Sequence, residues 1–170
     1  MKNVIIGAVI GAVVGAGVAG AIVGSNANKS VMAAQAAATA QPAAAKQQDK
    51  HKVVYHLNYA GGDNGKLYAA AMTNVQNHIS AVGADKVDIK VVMHGLGLDM
   101  LMDAKTNDNI KSKINSLKNQ QVAFQVCGIA LERRKIDYKN LYDVSEGDIV
   151  PSGVAEIAKL QHQGYAYIKP

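Results

Sequence analysis

The stretch QVAFQVCGIALERR (121–134) changes character at its middle. From Gln121 to Cys127 it is almost continuously apolar and rich in strand formers. From Gly128 to Arg134 it reads as helix. A short strand without polar alternation is one buried on both faces, which suits a central place in a parallel sheet covered by helices. The same stretch holds the chain's only cysteine.

Working outward, strands and helices alternate. KVVYHLNY (52–59) reads as a first strand and ends in the turn AGGDNG. A helix is expected over 66–82, with Leu67, Ala71, Val75, Ile79 and Val82 as its buried stripe and Asp63 or Asn64 as its cap. KVDIKVVMHG (86–95) is a second strand, with Val87, Ile89, Val91 and Met93 on one face. A short helical piece follows around Leu98–Asp103. Asn107 caps the next helix, which turns Ile110, Ile114 and Leu117 inward and Lys111, Lys113 and Lys118 to water. Beyond Cys127, GDIV (147–150) is a short strand before Pro151. Ser152 caps a helix running to about Gln163, Gly164 stops it, and YAYIK (165–169) closes as a fifth strand. This alternation implies right-handed crossovers and an α/β fold: a three-layer α/β/α arrangement around a mainly parallel sheet of about five strands.

In such sheets, ligands bind beyond the carboxyl ends of the strands. Three polar side chains stand there: Asn58, His94 and Cys127, the last two followed by Gly95 and Gly128. If the first three strands are neighbours, these residues converge on one rim. The helix after Cys127 brings unpaired N–H groups that favour a thiolate, so a partly accessible and acidic thiol is expected there. A protonated His94 nearby would add positive charge. Arg133 and Arg134, two turns further on, are expected to face water or a partner. Two readings of the thiol stay open, reactive group or core packing, and His94 is equally readable as a structural residue. His56, in mid-strand, is expected to be hydrogen-bonded inside.

Other chemistries find little footing. No GxGxxG, Walker motif or Gly-x-Ser-x-Gly is present. A single cysteine excludes an internal disulfide framework, and no zinc-like spacing exists, so neither metal nor cofactor is expected. From His51 onward the chain carries 14 Lys+Arg against 12 Asp+Glu; of the overall +5, +3 sits in the first fifty residues. That is not the footprint of a nucleic-acid binder.

Those fifty residues read as something other than the domain. Val4–Gly24 is 21 uncharged residues, all Val, Ile, Ala or Gly, preceded by Lys2. As a helix it would span about 30 Å, enough for a bilayer core. Glycines at 7, 11 and 15, and again at 20 and 24, give the small-xxx-small spacing of membrane helices that pack closely. Residues 1–25 are thus an uncleaved anchor or, with Ser25-Asn26-Ala27 as a cleavage site, a signal segment. Either sends the domain across a membrane: inner-membrane-bound facing the periplasm, or periplasmic or secreted after cleavage. Residues 26–50, rich in Ala and Gln, read as a flexible tether, and 51–170 as one domain.

KVVYHLNY, NVQNHI, IKVVMHGLGLDML, VAFQVCGIAL and VPSGVAEIAKLQHQGYAYIKP resemble, in that order, the blocks of the DsrE/DsrF-like family, in its branch of small stand-alone domains. The resemblance implies an α/β sheet of about five strands, self-association as trimers or paired trimers, and a link to sulfur metabolism. In the family's sulfur-relay members a cysteine after the third strand carries a persulfide and passes it between donor and acceptor proteins. Cys127 matches that position. ALERR (130–134) resembles the small-Leu-x-Arg stretch that follows it, with Lys135 where those members have glycine. With Cys127 as the sulfur-carrying group, the strand-end residues His94 and Asn58, with Gly95 and Gly128, are expected to shape the pocket around it.

Overall fold

The computed structural model describes residues 50–170; the segment Val4–Gly24 and the tether up to 49 lie outside the described residues. Among the described residues no helix is long and apolar enough to cross a membrane.

Five strands form one sheet: β1 (His51–Leu57), β2 (Val87–Met93), β3 (Ala123–Cys127), β4 (Ile149–Val150) and β5 (Ala166–Ile168). Their order is β4-β3-β2-β1-β5, and every pairing is parallel. The helices are α1 (Lys66–Val82), α2 (Asp99–Asp103), α3 (Asp108–Asn119), α4 (Gly128–Arg134) and α5 (Gly153–His162). The expected three-layer α/β/α class is the observed one.

The strand order explains the layering. From β1 to β4 the chain steps in one direction across the sheet. Right-handed crossovers then put every intervening helix on one face. The step from β4 back to β5 runs the other way, so α5 lands on the opposite face. Two separate apolar clusters record this. The larger joins Val53, Tyr55 and Leu57 of β1 and Val87, Ile89, Val91 and Met93 of β2 to Ala71, Met72 and Val75 of α1 and Ile110, Ile114 and Leu117 of α3. The smaller joins Val54 and Val92 to Ile157, Leu160 and Tyr165. Strand alternation supplies both sets from the same strands.

Two local expectations about α1 are corrected. Neither Asp63 nor Asn64 caps it: both sit in a 3-10 turn, Gly65 takes the cap position with left-handed backbone, and no side chain caps the helix. The Gly61 carbonyl instead accepts a hydrogen bond from the Leu67 N–H at 2.8 Å, meeting one of the unpaired donors. The buried stripe keeps Ala71, Val75 and Ile79 but differs at its start: Leu67 is exposed, and Tyr68 is fully buried in its place. The other caps are as expected, with Asn107 accepting from the N–H groups of Asn109 and Ile110 and Ser152 from that of Ala155.

Candidate functional site at the carboxyl rim of the sheet

α4 leaves β3 on one face and α5 leaves β4 on the other. The crevice between them is a topological switch point, the place where open α/β sheets bind ligands. A cleft of about 250 Å3 opens there. Cys127 and Ile129 come from the β3–α4 junction, Ser152 and Val154 from the start of α5, His94 and Gly95 from the loop after β2, and Arg133 and Arg134 from the end of α4.

β2 does lie between β1 and β3, so the strand ends are neighbours. The rim nonetheless gathers only some of the expected residues. His94, Gly95 and Cys127 line the cleft; Asn58 and Gly128 are absent from its walls. Asn58 is half-buried, and its backbone lies under Gly97, where an added Cβ would come within 3.1 Å of the Asn58 nitrogen and 2.1 Å of the Leu57 carbonyl oxygen. Gly128 packs on the end of β4, where an added Cβ would sit 3.3 Å from the Val150 carbonyl oxygen. At both positions the backbone is closely packed.

Cys127 is less open than its strand-end position implied. It is 5% exposed and forms the cap position of α4 without a capping hydrogen bond. The cause is α5: a Cβ on Gly153 would lie 3.2 Å from the Cβ atoms of both Cys127 and His94. A glycine here lets the start of α5 close over the thiol and the imidazole together.

His94 is not a cation at neutral pH. Burial holds its pKa below the usual histidine range, and the nearby Lys169 adds to this. The positive charge that a protonated His94 would add to the rim is therefore missing, and the ring is neutral. Its partner is His56, hydrogen-bonded inside as expected from its mid-strand position: His56 Nε2 lies 2.7 Å from His94 Nε2. His56 is held down to about 4 by burial first, then by His94 and Lys169.

The arginines also depart from expectation. Both line the cleft, and Arg134 turns back across it. Its Nη1 donates to the Gly95 carbonyl at 2.7 Å and its Nη2 to Asp99 Oδ1 at 2.6 Å. From the other side, the Tyr68 hydroxyl donates to the Leu96 carbonyl at 2.6 Å and to that of Tyr59 at 2.9 Å. The loop carrying His94 is thus clamped between α1 and α4. Nothing local in the sequence signals this return of Arg134, because its acceptors lie on the loop after β2 and on α2. His56 was findable from period two, since it shares the α5-facing side of β1 with Val54. No cluster of three or more His, Cys, Asp or Glu that could hold a metal occurs among the described residues.

The sequence profile of the DsrE/DsrF-like family matches residues 21–170, starting well ahead of β1. No curated protein matches the chain. Among solved structures, a protein of unknown function from Methanobacterium thermoautotrophicum is similar: 29% identical, with a TM-score of 0.59, over 71% of this chain and 100% of that one. With the profile running through all five strands and the cleft between them, the chain belongs to the DsrE/DsrF-like family.

Proposed function

We propose that this chain is a sulfur carrier that holds sulfane sulfur on Cys127 as a persulfide. The observation that carries this reading is the position of Cys127, the only cysteine, in the wall of the switch-point cleft beside His94 and two arginines. In the loading step the Cys127 thiolate attacks the outer sulfur of a donor such as thiosulfate or a polysulfide. An S–S bond forms at Cys127, the donor's S–S bond breaks, and its electron pair leaves with sulfite or the shortened polysulfide. In the unloading step an acceptor thiolate takes the terminal sulfur and frees the Cys127 thiolate. The donors are anions, which fits the guanidinium groups in the cleft wall and the N-terminus of α5.

The carrier reading extends to place and assembly. Val4–Gly24 supports a tether to the inner membrane with the domain in the periplasm, or export followed by cleavage. Family resemblance supports a homotrimer or hexamer, with donor and acceptor proteins as partners.

Intact mass of the full chain after exposure to thiosulfate or polysulfide tests the reading. The expected result is a gain of one sulfur, removed by a reducing thiol and absent from Cys127→Ser. A folded chain that stays unmodified with every donor favours a second reading, a non-catalytic oligomeric binding module for a small anion or a partner protein. The 5% exposure of Cys127 is the observation on that side.

A further inference from the structure

The two arginines in the cleft wall differ in what they have left to offer. The Arg134 guanidinium is committed: Nη1 donates to the Gly95 carbonyl and Nη2 to Asp99, whose carboxylate also offsets its charge. Arg133 makes no ion pair and no side-chain hydrogen bond among the described residues. The carboxylates on the elements around it are spoken for or turned away. Asp99 is held by Arg134, Glu156 on α5 is held by Lys159 at 3.1 Å, and Glu132 is not part of the cleft wall. Arg133 thus brings the cleft a positive charge that no described carboxylate cancels. Its place follows from helical spacing. Ile129, Ala130 and Arg133 stand at i, i+1 and i+4 on α4, so they share one face, and all three line the cleft. Side chains on a helix lean toward its N-terminus, which carries the Arg133 stem back toward the Cys127 end.

The first turn of α5, a helix of 10 residues, supplies another part of the wall through Ser152 and Val154. The Ser152 hydroxyl oxygen accepts from the Ala155 N–H at 3.4 Å, and its hydrogen remains to be donated. The Ser152 carbonyl takes the Glu156 N–H at 2.9 Å. The N–H groups of Gly153 and Val154 are left without a helical partner. The start of α4 is less open, because its Ile129 N–H is already bonded to the Pro151 carbonyl at 3.3 Å. In the same wall Cys127 is 5% exposed and has no hydrogen-bond partner among the described residues. The cleft therefore sets one unpartnered nucleophile among donors that have spare hydrogens: a guanidinium fork, a hydroxyl and two backbone N–H groups. Such a set suits an anion that carries several oxygens.

We propose that Arg133 and Ser152 select the sulfur donor: the cleft takes donors whose outer sulfur is bonded to a sulfonyl head, thiosulfate and organic thiosulfonates, in preference to polysulfides. The proposal rests on the reading of Cys127 as the sulfur-carrying group. A guanidinium fork matches paired oxygens, which a sulfonyl head has and a polysulfide lacks. The chemistry also moves charge toward that fork. The Cys127 thiolate attacks the outer sulfur, and the new S–S bond forms there. The donor's S–S bond breaks, and its electron pair leaves with the head as sulfite, or as sulfinate from a thiosulfonate. The outer sulfur stays on Cys127 as a persulfide anion, so atoms and charge balance without an added oxidant or reductant. Because the head gains charge as its bond to sulfur breaks, donors aimed at its oxygens stabilise the transition state more than the resting donor.

The test uses the full chain with Arg133→Gln and Ser152→Gly as variants. Arg133 has no described partner to lose, and glycine is a tolerated helix cap, so both are expected to fold. Initial rates of persulfide formation are read by intact mass with thiosulfate and with polysulfide, each divided by the rate at which that donor loads free cysteine. A wild-type preference for thiosulfate is expected. Arg133→Gln is expected to lose at least about tenfold with thiosulfate, the lower range for a hydrogen bond to a charged group, and nothing with polysulfide. Ser152→Gly is expected to move in the same direction. No wild-type preference, equal losses with both donors, or undiminished thiosulfate loading in both variants overturns the selectivity and leaves the carrier standing. Sulfate, an unreactive copy of the head, gives a readout free of sulfur transfer. It is expected to shift the 15N amide signals of Gly153 and Val154, with an apparent Kd at least about tenfold weaker in Arg133→Gln. A chain that loads from no donor but binds sulfate in this way keeps the site for a sulfonyl anion and removes only the sulfur cargo. Sulfate that leaves those signals unmoved, or binds Arg133→Gln equally well, overturns the proposal.

Discussion

At the scale of single residues, the cleft is controlled by what burial does to imidazoles. His56 titrates at 6.5 in an unfolded chain and at about 4 in the folded one, and His94 shifts in the same direction. The lowered pKa sets the sign of the pH dependence. Above 6.5 both states hold neutral rings and the full stability is present. As pH falls from 6.5 towards 4, the unfolded chain binds protons that the folded chain refuses, and stability is lost. The urea midpoint is therefore expected to fall steadily across that window. His56→Gln should flatten part of the slope by removing the more strongly shifted ring. An equal slope in both proteins would assign the acid sensitivity to other groups.

At the scale of elements, the loop from His94 to Leu98 is the part most tightly specified by its neighbours. Gly97 passes so close to the end of β1 that an alanine Cβ would stand 2.1 Å from the Leu57 carbonyl oxygen. Backbone must move to admit it, so Gly97→Ala is expected to cost about 1–3 kcal/mol, the usual price of overpacking. Chemical denaturation measures it, and hydrogen exchange should quicken at the ends of β1 and β2 before it does elsewhere. Arg134 clamps the same loop with two nitrogens on two different acceptors. Lysine offers a point charge in place of a planar fork. Arg134→Lys is thus expected to lose about 1–3 kcal/mol by leaving the Gly95 carbonyl or the Asp99 carboxylate poorly met. Full stability in Arg134→Lys would show that the ion pair with Asp99 alone holds the loop.

At the scale of the whole molecule, the sheet ends in two short edge strands, two residues of β4 and three of β5, which leave little backbone open for strand-to-strand association. Assembly is then expected through side-chain surfaces such as the exposed Ile129 and Val154 in the cleft wall. Light scattering of the full chain in detergent is expected to give a trimer or larger; a monomer at micromolar concentration would rule out the proposed assembly. The class of fold was legible in the sequence because β3 is almost continuously apolar, the later part of β2 is apolar on both faces, and caps such as Asn107 and Ser152 mark helix starts through bonds within three residues. Periodicity and capping are local, so the chain announces them without knowing its neighbours. Cys127, His94 and Gly95 were legible for a related reason: strand ends in a parallel sheet share one rim whatever the strand order. The burial of Cys127, the pairing of His94 with His56 and the return of Arg134 to Gly95 were decided only by tertiary structure. The first depends on where α5 comes to rest over the strand ends, and that followed from a reversal of direction after β4. No short stretch of sequence carries that reversal, because it is set by which sheet edge and face remain free once the first four strands have packed.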